Sequence, residues 1–150
     1  IARRLIILAS EDIGNANPTA LVIANNTFQS VINIGFPEAR IILSQCVIYL
    51  ASSEKSNSAY KAINKAQHMV NETGNLKVPL SLRNAPTKLM KDMGYGKDYK
   101  YSHDYDKNFI SQEFLPDEIT GSKIYEPSNN LKENKLREFL KLKWKDKYKY

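Results

Sequence analysis

A single cysteine stands in 150 residues. Cys46 therefore has no partner for an intrachain disulfide, and a lone thiol suits a reducing cytoplasm. Histidine is nearly as scarce. His68 and His103 have no metal-ligand spacing to Cys46 or to a carboxylate pair, so zinc is not expected. Long hydrophobic runs are missing too. The most apolar stretch, 39–51, is broken by Arg40, Ser44 and Gln45, which is too short and too polar to span a bilayer. No secretory leader is legible. Also absent is a phosphate loop, in which glycine amides, a lysine and a following Ser or Thr meet phosphates and magnesium. The nearest approach, Gly94-Tyr-Gly-Lys97, has glycines one residue apart, no hydroxyl after the lysine and no buried strand before it. It reads as a helix stop followed by a turn. No apolar strand ends in paired acids that would hold magnesium, so these residues by themselves do not make an ATPase. The first residue is Ile1 and the opening already reads as helix without an N-cap, so the chain is expected to be a piece of a longer protein.

What is present is enough for a globular core. Forty-two percent of residues are hydrophobic and 25% are charged, and a chain of this size buries about two thirds of its unfolded surface. The net charge of +6 is concentrated at the end. Lys132, Lys135, Arg137, Lys141, Lys143, Lys145, Lys147 and Lys149 face only Glu133, Glu138 and Asp146. A basic tail is compatible with nucleic acid, but a solvated helix face is the favoured reading.

Hydrophobic spacing predicts four helices in the first half, over about 1–12, 18–34, 37–51 and 56–73. Asn17 is expected to cap the second, with Pro18 at its first position and Gly35 as its stop. In the third, Ala39, Ile42, Leu43, Cys46, Val47 and Leu50 form one stripe, while Ile41, Ile48 and Tyr49 fall outside it. Such a helix is central in a bundle or shared with another subunit. The fourth carries Ala59, Ala62, Ile63, Ala66, Met69 and Val70, and Gly74 stops it. A short helix is expected over 87–93 and a last amphipathic one over 130–146, with Leu131, Leu136, Phe139, Leu140 and Trp144 on its apolar side. Residues 95–127 hold five tyrosines and two phenylalanines, too much apolar area for a disordered linker. They are expected to form an ordered loop layer with buried tyrosines. The fold class is all-α.

Cys46, on an apolar stripe, reads as core packing. Two segments ask for more: Val78-Pro-Leu-Ser-Leu-Arg-Asn-Ala-Pro-Thr-Lys88, and Gly94 to Tyr105, where tyrosine alternates with lysine. The second could stack bases and hold phosphates, yet Lys97, Lys100 and Lys107 are balanced by Asp98, Asp104 and Asp106. His103-Asp104 could in principle act as an acid/base pair, but neighbours on a loop rarely meet productively.

The run from Pro79 to Lys97, with Tyr101-Ser-His-Asp104, resembles the C-terminal region of the RarA/MgsA family, the replication-associated recombination AAA+ ATPases akin to eukaryotic Werner helicase-interacting proteins. Ala2-Arg-Arg-Leu5, Ala9-Ser-Glu-Asp-Ile-Gly14, Ser44 to Ala51, Lys55-Ser-Asn-Ser-Ala-Tyr60 and Tyr125-Glu-Pro127 agree. The resemblance covers 1–127. It implies a post-ATPase helical domain, similar to the clamp-loader collar, that holds subunits together as a tetramer. It also implies ATP and magnesium bound upstream in the full-length protein, DNA and single-stranded-DNA-binding protein as partners, and a cytoplasmic, nucleoid-associated location. No catalytic, cofactor or metal residue of the family maps onto this chain. Arg83, Asn84, Pro86, Thr87, Lys88, Gly94, Tyr95, Gly96, Lys97, His103 and Asp104 match the family motif and are assigned structural roles. The reading is thus a self-association domain over 1–127 with a lysine-rich appendage over 128–150. Ile41, Ile48 and Tyr49 are the candidate contact residues. The alternative is a DNA-contact module using Lys141, Lys143, Lys145, Lys147 and the Tyr/Lys loop.

Overall fold

The computed structural model describes all 150 residues and is built from helices and helical turns, without a strand. The α-helices are α1 (Ala2–Leu8), α2 (Thr19–Ile34), α3 (Ala39–Ala51), α4 (Ser58–Thr73), α5 (Lys88–Asp92) and α6 (Leu131–Trp144). The all-α expectation holds, and each predicted helix is present within a residue or two of its expected ends, the usual uncertainty of helix termini. One local feature was not foreseen: after Leu8 the first helix widens into a π turn, Ala9–Ile13, before a 3-10 turn at Gly14–Ala16.

Two compact units emerge. One comprises 1–66 and 124–138, the other 67–123 and 139–150. The division falls within α4 and within α6, so the lysine-rich segment 128–150 is shared between the units.

In the first unit α1, α2 and α3 pack on one another. Ala9, Ile13, Ala20, Ala24, Cys46 and Leu50 form its core, with Leu5, Ile6, Leu8, Ile23 and Tyr49 packed against it. Alanines at the crossing let α1 and α2 approach closely, and Cys46 is the buried apolar side chain its stripe predicted. Two expectations change. Asn17 does not cap α2; its Nδ2 donates instead to Tyr49 Oη at 2.9 Å and Ser53 Oγ at 3.1 Å. Val47 and Tyr49 exchange places: Val47 is exposed, and Tyr49, three residues after Cys46, turns onto the core side with its hydroxyl satisfied by Asn17. The hydroxyl-to-amide bond makes that half-buried position tolerable for tyrosine.

In the second unit, Trp144 is the hub. Phe109 meets its ring edge-on at 5.1 Å, as does Tyr148 at 5.1 Å, and Phe114 lies 6.3 Å away. Of the five loop tyrosines expected to be buried, Tyr95 and Tyr125 are half-buried, and for the other three the expectation is corrected. Tyr99, Tyr101 and Tyr105 are exposed, whereas the half-buried Phe109 and Trp144 supply the packing. Alternation of Tyr with Lys and Asp leaves no continuous apolar side on that loop, so its rings stay at the surface.

Candidate functional site

A buried carboxylate organises the first unit. Asn130 starts α6, and its Oδ1 accepts the N–H of Glu133 at 2.9 Å, which satisfies one of the orphan donors of the first turn. Glu133 then turns inward and is 1% exposed. Its Oε1 accepts from Ser58 Oγ and, at 2.7 Å, from Tyr125 Oη; its Oε2 accepts from Asn130 Nδ2 at 2.6 Å. Ser56 Oγ lies 3.0 Å from Ser58 Oγ and 3.1 Å from Ser128 Oγ. Burial alone would raise the pKa of Glu133, but bonds from Ser56, Ser58, Tyr125 and Asn130 to the charged form outweigh it and lower the pKa from 4.5 to about 2. The same neighbourhood, burial first and Glu133 second, pushes the Tyr125 phenol up. Arg137 Nη2 donates to the Pro127 carbonyl, closing the 124–138 segment on itself.

Opposite Ser56, the backbone of Gly14 takes φ +48°, and Ser56 N–H donates to Asp12 O at 2.8 Å. Three of the resembling stretches, 9–14, 55–60 and 125–127, thus meet around one carboxylate. Sequence reasoning counted Glu133 only among the charges of a tail. The signal that could have found it is the Asn-x-x-Glu spacing of a capping motif just before an apolar run. An ionised carboxylate with every oxygen occupied and no free access to water is not a general base; it positions chain segments.

The outward face of α3 exposes two isoleucines among Arg40, Ser44 and Gln45. Ile41 and Ile48, seven residues apart, lie on one line of the helix, opposite the core stripe, and are 59% and 66% exposed. Ile32, Ile34, Phe36 and Val47 are exposed on the same pair of helices and their connection, as are Ile63 and Val70 of the predicted α4 stripe. Of the candidate contact residues, Ile41 and Ile48 are therefore at the surface, while Tyr49 is engaged within the chain.

The motif residues of the second unit hold a turn together. Thr87 Oγ1 caps α5 by accepting from Met90 N–H at 3.3 Å. Arg83 Nε donates to Val78 O at 2.7 Å, its Nη1 to Tyr95 Oη at 3.3 Å, and its guanidinium sits 5.1 Å from the Tyr95 ring centre. The amides of Gly94, Tyr95, Gly96 and Lys97 all donate to chain carbonyls, of Lys91, Met90, Leu80 and Gly94. A phosphate cradle needs such amides free, so this turn does not fit ATP. Asn84, Pro86, Lys88, Lys97, His103 and Asp104 are exposed; the His103 ring lies 5.1 Å from that of Tyr101 and forms no bond to Asp104.

The four tail lysines part company. Lys147 Nζ donates to Gln112 O at 2.6 Å and pairs with Glu113 at 3.2 Å. Lys143 Nζ lies 3.4 Å from Lys107 O and 4.9 Å from the Phe109 ring centre. Lys141 and Lys145 are exposed. Burial tends to raise Glu113, but the N–H groups of Leu115 and Phe114 together with Lys147 hold it below the ordinary carboxylate range.

The family described as MgsA AAA+ ATPase C terminal matches residues 1–144. The chain belongs to that family. The match extends beyond 127, through the first part of the lysine-rich segment. The chain is similar to replication-associated recombination protein A of Coxiella burnetii, 46% identical over 141 residues, which cover 93% of this chain and 32% of that protein. It is also similar to the protein of that name from Escherichia coli K12, 41% identical over 145 residues, or 96% of this chain and 32% of that one. ATPase WRNIP1 of Dictyostelium discoideum is 42% identical over 127 residues, 84% of this chain and 14% of that protein. The chain thus spans about a third or less of the curated relatives it matches. It is an MgsA-type C-terminal domain, without a phosphate loop among its residues. Calorimetric titration of this MgsA-type domain with Mg-ATP is expected to show no saturable heat; a stoichiometric micromolar isotherm would contradict that.

Proposed function

We propose that this MgsA-type C-terminal domain is a self-association module, setting the number and orientation of AAA+ cores in an ATPase that serves DNA replication-linked recombination and repair. In the full-length protein ATP and magnesium are held upstream. The partners are DNA, single-stranded-DNA-binding protein and further copies of the chain, probing stalled forks in the cytoplasm near the nucleoid. The names of the relatives support the setting in recombination.

The observation that carries the self-association reading is the exposed Ile41–Ile48 line beside Ile32, Ile34 and Phe36. Burial of each such side chain stabilises by roughly 1.5–3 kcal/mol. A closed symmetric assembly, a tetramer, satisfies all copies at once, whereas an open arrangement would grow into filaments. Sedimentation at micromolar concentration, without ATP, is expected to give an assembly larger than the monomer, and Ile41→Asp with Ile48→Asp to give the monomer. A wild-type chain that stays monomeric up to about 100 micromolar would place the interaction above roughly −5.5 kcal/mol and assign assembly to other parts of the protein.

A further inference from the structure

The second unit contains an open cleft of about 430 Å³ between the Ser81–Ala85 segment and the turn at Gly96, with Tyr99 and Phe114 at its rim. That volume lies within the range of ligand sites. The cleft is a consequence of the motif's own bonding. Gly96 N–H donates to Leu80 O at 2.8 Å, and a side chain at Gly96 would place its Cβ 3.4 Å from Arg83 O. The 3.4 Å would be an ordinary contact; it is the φ of +70° that favours glycine in this turn.

The lining combines groups seldom left idle. Tyr99 is 49% exposed and Phe114 is 43% exposed. Arg83 is half-buried and donates only to neutral oxygens, of Val78 and Tyr95, so its positive charge has no carboxylate beside it. The Asn84 amide has no hydrogen-bond partner. Aromatic faces, an exposed amide and an arginine without a carboxylate partner together suit a planar base joined to a phosphate.

From this we infer that the cleft binds single-stranded nucleic acid, one base stacking on Tyr99 with its edge toward Asn84 and its phosphate toward Arg83. The exposed Tyr101 and Tyr105 offer surfaces for following bases. The inference moves nucleic-acid contact from the tail, where Lys143 and Lys147 are engaged within the chain, to the loop. It deepens the reading that the full-length protein acts on DNA and is independent of self-association. The cleft has no triphosphate cradle, so a strand rather than a free nucleotide is the ligand.

The test is fluorescence anisotropy of a labelled oligothymidylate with this chain at low salt. Tyr99→Ala is expected to weaken binding by roughly five- to a hundredfold, the span a stacked base produces, and Tyr99→Phe to leave it nearly unchanged. Asn84→Ala is expected to weaken it severalfold. Lys141→Ala with Lys145→Ala is expected to leave affinity and salt dependence nearly unchanged and to keep the Tyr99→Ala effect. Wild-type affinity in Tyr99→Ala and Asn84→Ala, with loss in the lysine pair, would overturn the cleft and leave DNA contact by the tail. Thymidine monophosphate competing as well as the oligomer would overturn the strand. No binding at protein concentrations of about a millimolar, beyond the usual nonspecific range, would overturn both the cleft and DNA contact by this domain.

Discussion

Replacing Gly14 by alanine is expected to destabilise the domain by about 3 kcal/mol or more, a large share of the stability of a marginally stable chain. Two independent effects add. Gly14 has φ +48° and ψ −131°, a backbone conformation that a side chain strains. A Cβ there would also stand 2.6 Å from the Ser56 carbonyl oxygen, which is backbone and cannot swing aside. That carbonyl belongs to the loop whose Ser56 N–H is held by Asp12 O, so relief of the clash breaks the junction between the end of the first helix and the start of α4. Gly35→Ala is the control. Gly35 also has positive φ, +71°, but an added Cβ meets nothing within 4 Å. Urea unfolding followed by circular dichroism should therefore show a markedly larger loss for Gly14→Ala than for Gly35→Ala. Equal losses would mean that backbone strain alone matters and the Ser56 contact does not.

Glu133→Ala is expected to rival that loss, at about 3–5 kcal/mol. It removes the acceptor for Ser58, Tyr125 and Asn130 in one step and leaves buried donors unsatisfied beside a cavity. Glu133→Gln keeps the volume and one acceptor, and is expected to cost less. The carboxylate also makes stability depend on acid. Its folded pKa is about 2 against an ordinary 4.5, so its contribution is fully present above pH 4.5 and is lost as pH falls towards 2. Over that interval the loss is about 3 kcal/mol. Glu113, also held below its ordinary value, adds to the acid sensitivity in the same direction. In Glu133→Gln most of the slope between pH 4.5 and 2 should vanish, leaving what Glu113 and the exposed acids contribute. An acid-unfolding curve in Glu133→Gln parallel to that of the wild type would show that the cluster is not its source.

These two residues illustrate different degrees of legibility. Gly14 follows the expected end of the first helix, a usual place for glycine; that its missing side chain makes room for a carbonyl 42 residues later is not legible in the sequence. Glu133 was visible only as a charge. Its capping spacing after Asn130 is a local signal, but Ser58 and Tyr125 reach it from 75 and 8 residues away, and nothing in the spacing of the chain announces such a convergence.

By itself, the sequence determined the helical class, the position of each helix and the burial of Cys46, since these follow from a 3.6-residue apolar period and from glycine and proline punctuation. It determined the absence of a phosphate loop in the same direct way, because that site is a contiguous pattern. The family was legible in the Pro79–Lys97 run and its companions. What only the tertiary structure decided is which apolar and charged groups remain available. Tyr49 and Val47 differ by two positions on α3, and their fates depend on Asn17 arriving from another element. Lys143 and Lys147 look equivalent to Lys141 and Lys145 in the tail, yet carbonyls of Lys107 and Gln112 engage the first pair. Tyr99 reads as a core aromatic until the loop leaves it at the rim of a cleft. Periodicity reports the direction of a side chain from its own helix. Whether another segment meets it there is set by long-range packing, which a local pattern does not encode.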